Sequence, residues 1–379
     1  MALTTIQTNN KLIKFTQQVN REWVRENLFA PYMGESITSI IRKRMELTSG
    51  GEQMNIPLVA RLAATAIGSG ALAGNEENVD NYGMRVWIDW ARNAVKTNKA
   101  EKQKDSSAIF DVARPLLSDW LKELGRDETI DAFFALVSES APAGLGSAAG
   151  QRVNGILFGD ATAAQRDTWL AAQVDRVLFG VTKTNNTGTF ATSMQNLDVA
   201  GGDKCSRANM RLLKRIARAA NPKIRPFQLK DGREYFVAFH GPRTFRDLKI
   251  DLETINKDAR PREGTGFNKQ PIFQDGDLMD DGVIHREIPE IDGRAPVFYE
   301  TAGAAGIATR PVWLCGQSAM AMAYGQMAKP TQLDNTDYQF NQGVGIETAY
   351  GVGKMFKKTT GGLLKEWGIA TGMFVAIAD

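Results

Sequence analysis

Two extended segments on either side of a glycine-rich, acidic stretch limit the folds open to this chain more than any other feature. Residues 52–63, EQMNIPLVARLA, alternate imperfectly and contain Pro57, which favours an edge strand. Residues 82–97, YGMRVWIDWARNAVKT, alternate more regularly, and residues 68–80, GSGALAGNEENVD, indicate a turn region with little apolar content. Such a long hairpin does not fold stably by itself. We therefore expect it to rest on a neighbouring surface, and no segment of the same chain stands out as that neighbour.

The clearest helical pattern covers residues 105–139. Asp105 and Ser106 are suited to cap its first turn. Pro115 is expected to kink or restart the helix because proline lacks a backbone donor, and Gly125 is expected to break it again. The apolar residues at helical spacing are Ile109, Val112, Leu116, Trp120, Leu121 and Leu124. The pattern predicts one long, bent helical rod.

The remaining segments place the chain in the α+β class. Residues 1–45 are polar and rich in Gln and Asn, so we expect an arm that lies on another surface, with one short helix before Pro31. Another helix is expected over 162–178. A hairpin is expected around Asp231-Gly232, and late strands over 343–358 and 373–378. Scattered strands beside a long helix and a long hairpin are typical of α+β folds.

Composition narrows the function classes only moderately. The chain has 379 residues, with 46 basic and 43 acidic side chains, and this near balance implies no polyelectrolyte partner for the protein as a whole. Cys205 and Cys315 form neither a zinc pattern nor a disulfide framework, which fits synthesis in a reducing cytoplasm. The longest uncharged run, residues 311–328, is too polar to span a bilayer. We expect a soluble protein or a part of a soluble assembly.

Ser318 raises the question of a serine hydrolase. Gly316-Gln317-Ser318 follows an apolar run, but a nucleophile elbow needs a second glycine where Met320 stands. The only histidines, His240 and His285, both precede the serine, whereas a hydrolase of this type places its histidine later in the chain. A turn or capping serine is the favoured interpretation, and catalysis by Ser318 remains a lesser alternative. Cys315 is interpreted in the same way, as a small buried hydrophobe rather than a nucleophile.

Two further motifs resemble ligand sites and fail on their spacing. Residues 275–288 concentrate acids near His285, but an EF-hand loop fails in both possible registers. A turn-rich connection between strands is favoured there, with a weak ion site as the alternative; the acids are Asp275, Asp277, Asp280 and Asp281. The sequence around Lys354 lacks the first glycine and the Ser or Thr of a phosphate loop. We predict no catalytic site, no metal site and no cofactor.

A basic helix is predicted between a Ser206 cap and a stop at Asn221-Pro222. No acidic residue occurs within it, and its basic residues fall along one side: Arg207, Arg211, Lys214, Arg215 and Arg218. Such a stripe can contact phosphates without reading base sequence. It can equally be a solvated face or meet acids on a neighbouring subunit. A nucleic-acid-binding protein that acts through residues 206–220 is therefore the main alternative function.

The order of these elements resembles the major capsid proteins of tailed bacteriophages, which have the Hong Kong 97-type fold. More narrowly, the chain resembles the capsid family of podoviruses related to coliphage N-four. The resemblance runs over roughly residues 30–360. It is carried by YGMRVWIDWARNAVKT with the following IFDVARPLLSDWLKELGRDETIDAFF, by REYFVAFHGPRTFRDLKID, and by GIETAYGVGKMFKK.

The resemblance implies a function in assembly rather than catalysis. It implies an N-terminal arm at 1–45, an extended hairpin, or E-loop, at 46–100, a peripheral domain with the spine helix at 101–204, an axial domain at 205–340 with a candidate insertion at 258–305, and return strands of the peripheral domain at 341–379. The hairpin would lie across a neighbouring subunit. Hexamers and pentamers would close an icosahedral shell around double-stranded DNA, assembled in the bacterial host cytoplasm. The implied partners are further copies, a scaffolding protein supplied in trans, portal and decoration proteins, and non-specifically bound DNA, with no membrane.

Overall fold

The computed structural model describes residues 22, 24–62, 64–104, 112–228, 234–259, 277–333, 338, 340–359 and 361–378. The α-helices are α1 (Lys99–Lys104), α2 (Ala113–Phe134), α3 (Ala163–Ala172), α4 (Phe190–Gln195), α5 (Arg207–Ala219), α6 (Pro242–Ala259) and α7 (Glu290–Arg294). The strands of the first half are β1 (Met33–Gly34), β2 (Ile41–Arg44), β3 (Gln53–Val59), β4 (Asn81–Trp87), β5 (Asp89–Asn98) and β6 (Val177–Phe179). Those of the second half are β7 (Phe227–Gln228), β8 (Glu234–His240), β9 (Asp277–Asp280), β10 (Val283–Glu287), β11 (Thr309–Cys315), β12 (Met320–Gln332), β13 (Asn341–Lys354), β14 (Phe356–Lys358), β15 (Leu364–Glu366) and β16 (Ile369–Val375). No helix in these described ranges has both the length and the apolar character that a membrane crossing requires.

The first sheet is built around two long antiparallel strands. Its order is β1-β2-β12-β13-β5, with β5 antiparallel to β13 and β2 parallel to β12. The helix α2 packs against β13. The outer parts of β5 and β12 are exposed, whereas the second half of β13 is buried.

The second sheet has the order β6-β16-β11-β8-β10-β9, with β7 paired to β8. Its central strands β11 and β16 are buried at every position because both faces are covered. The helices α5 and α6 contribute apolar side chains to one face. Asp281 and Gly282 both have positive φ and join β9 to β10, which is the geometry of the two-residue hairpin turns that Asp-Gly favours.

The main core lies between the two sheets and is closed by the second half of α2. Trp313 of β11 lies with its ring centre 5.0 Å from those of Phe133 and Phe134 of α2. Phe29 lies 5.0 Å from Phe239 of β8 by the same measure. Such aromatic clusters bury large apolar areas and add ring-ring contacts. The core therefore draws on segments from nearly the whole chain.

The hairpin of β3 and β4 packs on its own chain, which corrects the expectation that it has no neighbour there. Side chains alternate along β3, and the buried set faces Met355 and Phe356 together with Ala321 and Ala323 of β12. The backbone N–H of Ala60 donates to the Asp80 carbonyl and closes the paired region. After Ile88 the chain leaves the hairpin, and β5 joins the first sheet.

The described part of residues 1–45 packs on the body of its own chain. Phe29, Ile40 and Ile41 are fully buried in the main core, because residues 33–34 and 41–44 add strands to the first sheet. A single 3-10 turn at Ala30–Tyr32 stands where a short helix was expected. Residues 1–21 lie outside the described residues.

Helix α2 differs from the rod predicted over 105–139. It begins at Ala113, so Pro115 lies in the first turn, where the missing N–H costs no hydrogen bond. Gly125 does not break the helix, and the helix ends at Phe134. The proposed caps Asp105 and Ser106 lie outside the described residues, as does the Asp231-Gly232 turn.

Other boundaries also shift once strand pairing is known. The segment 341–379 divides between sheets, because β13 belongs to the first and β16 to the second. The candidate insertion 258–305 contains β9 and β10, and β10 pairs in parallel with β8 of the second sheet. The helix expected over 162–178 ends at Ala172, and residues 177–179 form a strand.

Candidate functional site

Ser318 lies in the turn that connects the two sheets, where its hydroxyl is used structurally. It is buried and has φ +52°. Its Oγ donates to the Ile37 carbonyl at 2.8 Å, and its N–H donates to the Ser39 carbonyl at 2.8 Å. The two histidines are hydrogen-bonded to each other, with His240 Nε2 2.9 Å from His285 Nδ1. Ser318 therefore anchors residues 37–39, as expected of a turn serine.

Cys315 is a buried part of β11. Burial raises the pKa of its thiol well above the usual range, so the nucleophilic thiolate is disfavoured. Its neighbour Gly316 lies so close to the Arg225 carbonyl that a Cβ there would come within 2.3 Å. The interpretation of this region as tightly packed filling is confirmed.

The acidic segment at β9 faces the basic helix α5. Asp280 Oδ2 lies 3.0 Å from Arg207 Nε and 3.7 Å from Arg211 Nε. Asp281 Oδ2 lies 3.4 Å from Lys214 Nζ. In the described ranges no three His, Cys, Asp or Glu side chains are grouped so that they could hold a metal ion, and Asp275 lies outside those ranges.

The basic helix α5 begins at the Ser206 cap, as the sequence predicts, with Ser206 Oγ accepting from the Asn209 N–H. Arg218 completes the set of pairs, at 2.6 Å from Glu234 of β8. Arg215 is exposed and has no ion pair among the described residues. Four of the five basic side chains of the stripe therefore meet acids of their own chain.

The loop between β3 and β4 is the most exposed part of the described chain. Residues 61–80 form no helix or strand where they are described, and the described ones are exposed throughout. Large apolar side chains stand in solvent here, with exposed fractions of 62% for Leu62, 66% for Leu72 and 57% for Val79. Exposed apolar groups on one segment mark an interaction surface. These side chains can be read directly from the sequence, and the structure shows that they are exposed.

The base of the hairpin is held by polar contacts that sequence reasoning missed. Tyr82 Oη donates to Glu139 Oε1 at 2.9 Å, and Lys358 Nζ lies 2.5 Å from Glu139 Oε2. The hydrogen bond from Lys358 lowers the pKa of the Glu139 carboxyl. Lys357 pairs with Asp80 at the start of β4. These contacts fix the direction in which the loop leaves the molecule.

Further large apolar side chains are exposed on and beside the outer part of the first sheet. They are Trp90, Val95, Met327, Leu333 and Phe340. Because β5 is the edge strand of its sheet, its outward backbone groups are also open to pairing. Exposed apolar groups and an open strand edge both favour contacts with other macromolecules.

Comparison with known proteins agrees with this arrangement. The model of the family described as phage capsid protein matches residues 4–376. The capsid asymmetric unit of cyanophage Pam1 is 33% identical, with both chains covered completely and a TM-score of 0.86. No curated protein sequence matches the chain.

More distant structures share the fold. The capsid of Ralstonia phage GP4 is 17% identical, with 100% of this chain and 99% of that chain covered and a TM-score of 0.66. The head structure of Helicobacter pylori bacteriophage KHP40 is 12% identical, with coverages of 97% and 96% and a TM-score of 0.58. A match over nearly the whole chain, together with 33% identity to one complete capsid subunit, decides the assignment. The chain belongs to the phage capsid protein family.

Proposed function

We propose that this major capsid protein forms hexamers and pentamers that close a Hong Kong 97-type icosahedral shell around double-stranded DNA. The observation that carries the proposal is the loop at 61–80, which leaves an anchored hairpin and presents apolar side chains to solvent. Burial of apolar area stabilises association by about 25 cal/mol per Å² before the entropy of ordering is deducted. Such contacts, repeated between every pair of neighbours, would make a closed shell stable.

The domain assignment is proposed from sheet membership. The peripheral domain would comprise α2 and the first sheet, and the axial domain would comprise the second sheet with α5 and α6. The hairpin of β3 and β4 with its loop would be the E-loop. The packing of α2 on β13 and of α5 on β16 supports this division.

The narrower capsid family to which the chain belongs and the partners of its assembly are also proposals. The resemblance of residues 82–97 and 109–134 supports the podovirus family related to coliphage N-four. It also supports assembly in the bacterial host cytoplasm with a scaffolding protein, a portal and decoration proteins. A DNA or inter-subunit role for α5 is proposed mainly through Arg215, because Arg207, Arg211, Lys214 and Arg218 are paired with acids of the same chain.

The role of the loop in assembly can be tested by substitutions that leave its length unchanged. Replacing Leu62, Leu72 and Val79 together by serine removes the three most exposed large apolar groups of the loop without touching the buried face of the hairpin. We expect a folded protein that fails to form closed particles by size-exclusion chromatography and negative-stain electron microscopy. Val297→Ser is the matched control, because Val297 is 85% exposed and lies outside the loop. Closed particles at the wild-type yield would overturn the proposed role of the loop.

Deleting residues 66–78 gives a second, stronger variant. The deletion keeps Asp80 and its ion pair with Lys357, and it keeps the hydrogen bond that closes the hairpin. We expect soluble, unassembled protein with unchanged circular dichroism. If this variant still forms closed shells, the hairpin does not connect subunits.

A further inference from the structure

A large groove lies between the hairpin and the second half of the chain. Its volume is about 1090 Å³. One wall is the hairpin base at residues 57–61, and the opposite wall is the connection at 221–226 that follows α5. Its floor includes Met355 and Trp367. Its volume is at the upper end of the range for small-molecule sites, and several segments of the chain line it. The groove can therefore accept an extended peptide segment.

The groove is strongly basic. Seven basic side chains line it against two acidic ones, Asp80 and Glu234. Both acids are already paired, with Lys357 and Arg218. Four of the basic side chains have no ion pair among the described residues: Arg42, Arg61, Lys223 and Arg225. The Nε of Arg42 is buried and has no hydrogen-bond partner within the described ranges. A ligand for this groove must therefore bring negative charge.

The groove is also partly apolar, and this property favours an acidic peptide over a nucleic acid as its ligand. Ile37 and Val59 line it and are more than half exposed, and Pro57 and Trp367 add further apolar surface. A phosphate backbone gains little from aliphatic walls, because its affinity comes from charge. A peptide that combines carboxylates with an aliphatic side chain fits both features.

One segment of this chain has that chemistry. From residue 62 to residue 84 the sequence contains Glu76, Glu77 and Asp80 and no Lys or Arg. The loop tip turns at Leu72, whose carbonyl accepts from the Asn75 N–H, so Leu72 and Glu76 both stand at the tip. The N-terminal residues 1–21, in contrast, carry Lys11, Lys14 and Arg21 and no acid. Charge complementarity therefore favours the loop tip over the N-terminal segment, and the acids Asp280 and Asp281 are already paired with α5.

We propose that the acidic loop tip of a second copy, residues 72–77, docks in this basic groove. The carboxylates of Glu76 and Glu77 would meet Lys223 and Arg225, and Leu72 would cover the apolar wall. The tip belongs to another copy because the groove of the same chain is lined by Arg61 and Asp80 but by none of the described residues between them. This inference rests on the proposed function and names the surface on which the hairpin rests.

Charge reversal with rescue tests the pairing. The groove variant is Lys223→Glu with Arg225→Glu, and the tip variant is Glu76→Lys with Glu77→Lys. All four side chains are exposed, so we expect both variants to fold. Each variant alone should reduce the assembled fraction at least tenfold, measured by size-exclusion chromatography and negative-stain electron microscopy. The chain that carries all four reversals should regain shells, because the charge pairs are restored in the opposite sense.

A control variant and four outcomes distinguish the proposed docking site from its alternatives. Arg114→Glu with Lys183→Glu changes the net charge equally at exposed sites outside the groove and should assemble normally. Wild-type assembly of the groove variant, or no rescue in the quadruple variant, overturns the inference. Shells of the groove variant that form normally but package less DNA assign the groove to DNA and also overturn it. If the serine loop variant fails to assemble while the groove variant assembles, the proposed function stands and only this docking site is wrong.

Discussion

The second sheet and the hairpin differ in how completely their side chains are buried within one chain. In the second sheet, β11 and β16 are buried at every position, because helices cover one face and the main core covers the other. In the hairpin, β3 alternates between buried and exposed positions, and the loop beyond it is exposed. The sheet is complete within one chain. The hairpin is buried only at its base, and we propose that its exposed outer part contacts other copies of the chain.

This difference predicts unequal energetic consequences. A fully buried aromatic side chain contributes several kcal/mol to stability, whereas an exposed ion pair contributes about 0–1 kcal/mol. Mutations in the second sheet should therefore change folding, and mutations in the hairpin should change assembly. Three measurements test this contrast, in order of decreasing expected effect.

The largest effect is expected at Trp313, in the centre of the second sheet. Its ring is 2% exposed and packs against Phe133 and Phe134. Trp313→Ala should lower the free energy of unfolding by about 3–5 kcal/mol, because the cavity is too large to close. Denaturant unfolding of unassembled protein measures this. Trp90→Ala is the control, since Trp90 is 50% exposed and should cost under about 1 kcal/mol. Equal effects at both sites would remove the contrast.

The buried histidine pair gives an intermediate, pH-dependent effect. Burial lowers the pKa of His285 from 6.5 to about 4, and burial together with His285 lowers the pKa of His240 well below its usual value. The unfolded chain therefore takes up protons first as the pH falls. Stability is fully present above pH 6.5 and is lost progressively below it, by about 3 kcal/mol for His285 between pH 7 and pH 4.

The double variant His240→Leu with His285→Leu separates this contribution from general acid denaturation. Replacing both partners of a buried hydrogen bond by apolar groups is nearly neutral. Unfolding free energies measured from pH 7 to pH 4 should fall less steeply in the variant than in the wild type. Parallel curves would show that the folded pair takes up protons over the same range as the unfolded chain, so that burial does not lower its pKa.

Local chemistry made part of this structure predictable from the sequence. The Ser206 cap depends on residues within one turn, and this prediction is confirmed. Proline is tolerated in the first turn of a helix, and Pro115 lies in the first turn of α2. The hairpin strands were predictable because side-chain alternation is local. Its neighbours Met355 and Phe356 were not, because they lie some 300 residues away in a chain where many apolar segments compete.

The same limit explains the basic helix. The spacing of Arg207, Arg211 and Lys214 is visible in the sequence, but the acids that meet them come from β9 and its turn, about 70 residues later. A stripe without acids in its own helix therefore gave three open interpretations. Strand β10 pairs in parallel with β8, and β9 pairs with β10. This strand order places the acids of β9 beside α5.

The smallest effect on stability, and the sharpest test of the contrast, is expected at Lys358. Its pair with Glu139 is roughly 40% exposed on both sides, so Lys358→Met should change the unfolding free energy by about 0.5 kcal/mol or less. Tyr82 and Glu139 would then hold the base of the hairpin without the cation that lowers the pKa of Glu139. Hydrogen exchange of residues 81–87 should quicken in unassembled protein, while exchange in β11 and β16 stays unchanged. Lys122→Met is the control, since Lys122 forms a comparable exposed pair with Asp119 on α2. Equally fast exchange in the second sheet would show that the hairpin and the core open together, and the two regions would then be one cooperative unit.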